Sequence, residues 1–437
     1  MESSLEAVVI ADDLTGAADT GVQFTAVGTP VYLMPAETRS LGNARTARAA
    51  GLSLYTASRH LSAEEAAGRL RPVASALTGR RPGWLYKKVD SCLRGNLGAE
   101  IDVLLDFLGL DAALVAPALP AQGRITVSGI HLVHGRPLAD TEFAKDPLSP
   151  VASSTVAHIL ASQSRYSAGR IHLQDYGDTG RLQRALQREV GSGHRLIVCD
   201  AAEQAHLDQI AELVIQNADR LLPVGSAGLA ASLVGQISDG DVAEPPRMPT
   251  LERLLLVCGT GSKVTRRQLD ALLDKYPGVR HELEPAWLID ASVSERSRCA
   301  AELCDARASG ILALTIGPLP PGGPAPTPEE AAAGLAALAR LAVEIIGSGQ
   351  VEGLFLSGGE TADAFLRASR GEAIALEREL LPGLALGRWV GGLADALPVV
   401  TKAGAFGQEQ TLVALYERIS AGRAEIRGPT KVVQQPD

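Results

Sequence analysis

Short apolar runs alternate with longer amphipathic segments along the whole chain. AVVIA (7–11), PVYLM (30–34), GLSLYT (51–56), AALVAPA (112–118) and RLIVCDA (195–201) read as buried strands. Between them, AEEAAGRLRPVASAL (63–77) and GNLGAEIDVLLDFLG (95–109) carry the 3.6-residue spacing of helices. Strands alternating with helices predict an α/β fold whose mostly parallel sheet is covered on both faces. This first series closes with LLPVGSAGLAASLVGQI (221–237). SDGDVAEPPRMPT (238–250), with its acids, glycine and three prolines, breaks the pattern and reads as a linker.

A second series follows: LERLLLVCG (251–259), ARASGILALTIG (306–317), EGLFLSGG (352–359) and ALPVVTKAG (396–404). GPLPPGGPAPTPEE (317–330) reads as a surface loop that leads into an alanine-rich helix, EEAAAGLAALARLAVEIIG (329–347). The expectation is two α/β domains, 1–237 and 251–427, joined by 238–250 and facing each other across a cleft, with a loosely held tail at 428–437. A length of 437 residues agrees, because single cores usually stop growing at about 250–300.

Charge and composition remove several function classes. The net charge is −9, with 41 basic residues interspersed among 50 acidic ones, and aromatics are only 4%. Neither a basic stripe nor a base-stacking platform is indicated, so nucleic acid is not an expected partner. No apolar run approaches the ~18 residues of a membrane span. Five scattered cysteines without a CxxC pair, and eight histidines without an HxxxH cluster, fit a reduced, cytoplasmic protein with no zinc site.

The chemistry-bearing stretches sit where strands appear to end. VVIADDLTGAADTG (8–21) stops a buried strand at two adjacent carboxylates, Asp12 and Asp13. One reading is helix capping; the other is a carboxylate that orients or deprotonates a hydroxyl. KKVDSCLRGNLGAE (87–100) gathers Lys88, Asp90, Arg94 and Asn96 ahead of a helix, either as an anion grip or as a solvated loop with a local ion pair. In the turn-rich stretch 117–147, Arg124 is the better anion candidate, and His131 reads more readily as a surface polar group than as a catalyst. The rear half holds three glycine turns after strands: Gly259–Ser262, Gly358–Thr361 with Gly359 and Glu360, and Gly404–Gly407. Exposed backbone N–H groups in such turns suit phosphate. Neither GxxxxGK[ST] nor GxGxxG is present.

Taken together, ADDLTGAADTG, KKVDSCLRGN, GRITVSGIHLVHGRPLADT, VGSAGLA, SGGETA and TKAGAFG resemble the four-carbon acid sugar kinase family, in order and spacing, from Asp12 to about Leu415. The resemblance implies an ATP-dependent kinase acting on the terminal hydroxyl of a tetronate or 3-oxo-tetronate. It places Asp12, Asp13, Lys88, Asp90, Arg94, Asn96 and Arg124 on the acid-sugar side, with Asp13 or Asp90 as base. Ser262, Gly358, Gly359, Glu360, Thr361, Gly404 and Gly407 fall on the nucleotide side. Mg²⁺ is expected on the phosphates. Cys92 stands where the family pattern has threonine, and Glu360 where it has aspartate.

On this reading Asp12 and Asp13 are expected to have separate partners, one capping the helix and one facing the cationic side chains. Two alternatives stay open: a phosphatase of the haloacid dehalogenase type, whose motif spacing DDLT does not match, and a non-catalytic sensor on the same scaffold. A homodimer is the default assembly.

Overall fold

The computed structural model describes residues 6–37, 50–78, 82–146, 148–238, 251, 253–259, 261–305, 310–317 and 326–420. The expected linker from 239 to 250, the tail, and 318–325 of the proline-rich loop lie outside the described residues. The chain divides into two compact units: Met1–Glu244 with Glu372–Glu379, and Pro245–Gly371 with Leu380–Asp437.

The first unit carries β1 (Ala7–Ala11), β2 (Val31–Pro35), β3 (Gly51–Tyr55), β4 (Trp84–Lys88), β5 (Ala112–Ala116), β6 (Arg124–Val127), β7 (Ile130–Val133), β8 (Arg136–Pro137), β9 (Ala168–Ile171), β10 (Leu196–Cys199) and β11 (Leu221–Gly225). Eight of these strands form one parallel run in the order β2-β3-β1-β4-β11-β5-β10-β9. β1, β3, β5, β10 and β11 are buried at every position, as strands covered by helices on both faces must be. The chain leaves β1 toward β2 and β3 on one side and later returns to β4 on the other. That reversal is where open α/β sheets bind ligands. Pairing of Ala11 with Tyr55 and of Ile10 with Lys87 brings the carboxyl ends of all three strands to one edge.

Within the turn-rich stretch, residues 124–137 form a small antiparallel sheet, β6-β7-β8. Asp200 accepts the N–H groups of Ser128 (2.9 Å) and Gly129 (2.7 Å) and so holds its first hairpin turn.

The second unit carries β12 (Leu254–Cys258), β13 (Gly278–Leu283), β14 (Ile311–Ile316), β15 (Gly353–Ser357), β17 (Leu384–Val390) and β18 (Pro398–Lys402), while β16 (Ala373–Leu381) lies with the first unit up to Glu379 and with the second from Leu380. β13-β14-β12-β15-β18 run parallel, and β17 pairs antiparallel with β18. Leu256, Phe355, Leu386, Val400, Leu272 and Leu412 belong to its apolar core. The long helix Pro328–Gly347 opens with a reciprocal cap: Thr327 accepts from the Glu330 N–H while Glu330 accepts from the Thr327 N–H.

Sequence patterning places most of the parallel strands to within a few residues but passes over β9 and β13. It does not show the hairpin β16–β17, and it does not show that residues 372–379 belong with the first unit. There, Ile374–Leu376 pair antiparallel with Val31–Leu33 of β2. No helix of the described residues is long and apolar enough to cross a membrane.

Candidate active site

Asp13 is the N-cap of the helix Leu14–Gly21: its extended backbone (φ −139°) lets Oδ1 accept the Gly16 N–H at 2.9 Å. Thr15 Oγ1 donates to its Oδ2 at 2.7 Å. The same carboxylate also accepts from Arg59, Nη1 to Oδ2 at 2.9 Å and Nη2 to Oδ1 at 2.8 Å. Asp12 takes the rest of that guanidinium, from Nε at 2.7 Å and Nη2 at 2.8 Å. The tandem acids therefore share one cation, which corrects the expectation of separate partners. A planar fork with five N–H donors can face two carboxylates at once, so adjacency is tolerated rather than avoided. Burial pushes Asp12 up, but Arg59 overrides it and holds the carboxyl below its ordinary value.

Arg59 follows β3 on a loop bent through Ala57, a non-glycine residue at φ 49°. Ser58 Oγ donates to the buried Glu100 at 2.5 Å, and Asn96 Nδ2 donates to Ser58 O (3.1 Å) and Leu61 O (2.9 Å). Asn96 thus ties down the loop that carries Arg59. Glu100 also meets Lys87 Nζ at 2.8 Å, both side chains being buried, so this lysine is structural.

At the end of β4, Asp90 receives Arg94 Nε at 2.7 Å, and Arg94 Nη1 reaches Asp146 at 3.2 Å. Burial would raise Asp90, yet Arg94, Arg59 and Lys88 hold it far below the usual carboxylate range. Lys88 Nζ makes no hydrogen bond within the described residues; its carboxylate neighbour is Asp19, at 3.7 Å. Asp19 is buried and pushed up to about 6 by that burial, against the pull of Lys88. A Cβ on Gly16 would lie 2.6 Å from Asp13 Oδ1 and 2.9 Å from Lys88 Nζ, so the acid and the ammonium crowd the first helical turn. Gly95 serves Asp12 similarly, at φ 96° with room for nothing larger beside Oδ2.

Arg124 is buried, with Nε on Cys92 Sγ at 3.3 Å and Nη1 on Gln122 O at 3.2 Å. Burial, aided by Asp90, raises the Cys92 thiol to about 11, so it is a neutral neighbour of Arg124. His131 is fully buried between Ser91 O (2.8 Å) and Thr126 Oγ1 (3.0 Å), and burial lowers it to about 4. It is a neutral strut joining β7 to the Asp90 loop, not the surface group the sequence suggested.

In the second unit the glycine turns follow three adjacent strands, with Cys258, Ser357 and Lys402 in register. Gly358 (φ 99°) is the N-cap of the helix Gly359–Ala368, and its N–H bonds Lys402 O at 2.8 Å. Glu360 lies exposed in the first turn, favourable for the helix dipole, and Thr361 is buried where a Cβ on Gly259 would meet its hydroxyl at 2.8 Å. Ser262 is the N-cap of Lys263–Lys275. Gly404 O accepts Thr265 Oγ1 at 2.8 Å, and Gly407 sits at φ 85°. The structure thus gathers the front candidates at one sheet edge of the first unit and the rear candidates at one edge of the second. Arg59, Asp19 and Lys402 are the side chains the sequence reading passed over. Lys402 carried a signal, a charged residue at a strand's end, whereas Arg59 lies in the loop after β3 and Asp19 in the second turn of the helix Leu14–Gly21. Among the described residues, no group of three His, Cys, Asp or Glu side chains could hold a metal.

Comparison with known proteins agrees with this division. A sugar-binding N-terminal domain family matches residues 7–233, and a nucleotide-binding C-terminal domain family matches 255–412. A D-erythronate kinase of Heliobacterium modesticaldum is 35% identical, covering 92% of this chain and 94% of its own. A D-threonate kinase of Salmonella typhimurium is 33% identical over 94% and 98%, and a 3-oxo-tetronate kinase of Brucella melitensis 29% over 73% and 74%. A solved Haemophilus influenzae structure, 22% identical and covering 95% of this chain and 99% of its own, agrees in fold with a TM-score of 0.70. From its motifs, its two matched domains and these full-length relatives, the chain belongs to the four-carbon acid sugar kinase family.

Proposed function

We propose that the protein transfers the γ-phosphoryl group of ATP to the terminal hydroxyl of a four-carbon acid sugar, a tetronate or 3-oxo-tetronate. The first unit would hold the sugar acid and the second the nucleotide. The observation that carries this reading is the charged edge of the first unit, where Asp12, Asp13 and Asp90 meet Arg59, Lys88 and Arg94 at the ends of three adjacent parallel strands.

Lys88, whose ammonium makes no hydrogen bond among the described residues, is suited to the sugar's carboxylate. Arg94 and Arg124, both already oriented by neighbours, would complete the grip. Asp13 is the most exposed of the three carboxylates, at 16% of its side chain against 4% for Asp12 and 9% for Asp90. It is therefore the one placed to meet the terminal hydroxyl, with Asp12 sharing its cation and Asp90 anchoring Arg94. Phosphoryl transfer demands alignment and charge neutralisation more than a strong base, so a carboxylate stabilised by Arg59 is adequate. Glycine turns with outward N–H groups fit the phosphates of ATP. Mg²⁺, which prefers phosphate oxygens and one or two carboxylates to a protein cage, would ride on the triphosphate and neutralise its charge.

The test is an ADP-release screen over D-erythronate, L- and D-threonate and their 3-oxo forms, with product phosphorylation checked by mass. Turnover with at least one acid, giving a product heavier by one phosphoryl group, is expected. No ADP release with any of them, at any magnesium concentration, would overturn the reading.

A further inference from the structure

Lys402 closes β18 and its side chain is fully buried. Its Nζ donates to Ala403 O (2.9 Å), Phe406 O (3.1 Å), Gly404 O (3.2 Å) and Thr265 Oγ1 (3.2 Å). An ammonium has three protons, so four acceptors saturate it and leave none for a ligand. Gln268 clamps the turn from another side, with Nε2 on Phe406 O (3.0 Å) and Gln408 O (2.9 Å).

The consequence follows from peptide geometry. In a trans peptide the C=O and N–H point in opposite directions. Turning the carbonyls of 403, 404 and 406 onto the ammonium therefore turns the N–H groups of Gly404, Ala405 and Gly407 away from it. None of these three amides donates to another atom of the described residues, whereas the intervening Phe406 N–H closes the turn on Ala403 O at 3.0 Å. Successive free N–H groups of this kind form an anion-binding nest. Burial lowers the lysine to about 8, consistent with a cation held by neutral oxygens rather than by a carboxylate.

The geometry points to Lys402 as a positioning residue for the nucleotide: without touching the phosphates, it shapes the 403–407 turn so that three backbone amides face them. This rests on the assignment of that turn to ATP, and it differs from a lysine that reaches the phosphates itself.

The experiment compares Lys402→Met and Gln268→Ala with the wild type, reading ADP binding by calorimetry, KM for ATP, KM for the sugar acid, and melting temperature. Lys402→Met should weaken ADP and raise KM for ATP by roughly tenfold or more, the scale of a lost charge-assisted hydrogen-bond set. KM for the acid should stay within about twofold, because the acid is assigned to the other unit. Gln268→Ala should shift ADP binding in the same direction by a smaller factor, since it loosens the same turn. If Lys402 contacted phosphate directly, Gln268→Ala would leave ADP binding unchanged, and that result overturns the inference. So does a folded Lys402→Met variant that binds ADP like the wild type. Should Lys402→Met fail to fold, the Gln268→Ala result decides. A wild type that binds ADP keeps the functional reading intact whatever the variants do; one that binds no nucleotide removes that reading and this inference together.

Discussion

The two candidate edges are built on the same kind of scaffold and finished with opposite materials. In the first unit, β3-β1-β4 end in fixed charges: three carboxylates, two guanidiniums and an ammonium. In the second, β12-β15-β18 end in glycine turns whose polar surface is backbone, and the buried cation Lys402 faces carbonyls. The difference teaches how recognition divides. Hydroxyls and a carboxylate on a short carbon chain call for directional side chains, each held by a neighbour. Phosphates are met adequately by amides whose direction is set by the turn itself.

The largest effect is expected at the carboxylate that faces outward. Asp13→Asn keeps a competent helix cap, so the fold should survive while kcat falls by about 10²–10⁴-fold, with ADP affinity unchanged. Near-wild-type turnover would move the hydroxyl-orienting role to Asp12 or Asp90. Next comes the shared cation. Arg59→Met leaves Asp12 and Asp13 side by side without a counter-charge, and breaking a buried pair in this way costs about 3–5 kcal/mol. Urea denaturation would register it; an unchanged midpoint would mean that the tandem acids do not depend on Arg59.

A smaller effect separates the units by pH. Asp19 is raised in the folded protein to about 6, so the fold binds its proton more tightly than the unfolded chain does. Its contribution is therefore favourable at acid pH and is lost as pH rises through about 6. Asp19→Asn should be more stable than the wild type at pH 8, by at most about 3 kcal/mol, with the gap closing toward pH 4. A gap independent of pH would contradict the burial of this carboxylate. The smallest effect tests the backbone side. Gly407→Ala forces a side chain into φ 85° and against Thr411 Oγ1, a strain of about 1–2 kcal/mol. It should raise KM for ATP and leave KM for the acid alone; the reverse pattern would exchange the roles of the two edges.

Much of this was legible in the linear chain because it is local. Apolar runs such as LLLVC and GLFLS read as buried strands and are, and the alanine-rich spacing of 329–347 marked the long helix. Gly358 and Gly407 lie in the turns after strands where the sequence placed them, and the structure finds both at positive φ. What was not legible depended on partners far away in sequence. Nothing near Arg59 says that its fork closes on Asp12 and Asp13, 47 and 46 residues earlier. His131 looked like a loop residue because its partner, Ser91 O, lies 40 residues back. Residues 372–379 carry no mark of belonging to β2's sheet, since strand pairing is set by the neighbour and not by the strand.

By itself, then, the sequence determined the alternation of strands and helices, the places where the chain turns, and which chemical groups stand at each turn, because periodicity and backbone preference act over a few residues. Only the tertiary structure decided which charges neutralise each other and which amides are left facing outward. Those outcomes depend on electrostatics and hydrogen-bond geometry at distances of about 3 Å between atoms dozens of residues apart, and strand order alone creates such distances.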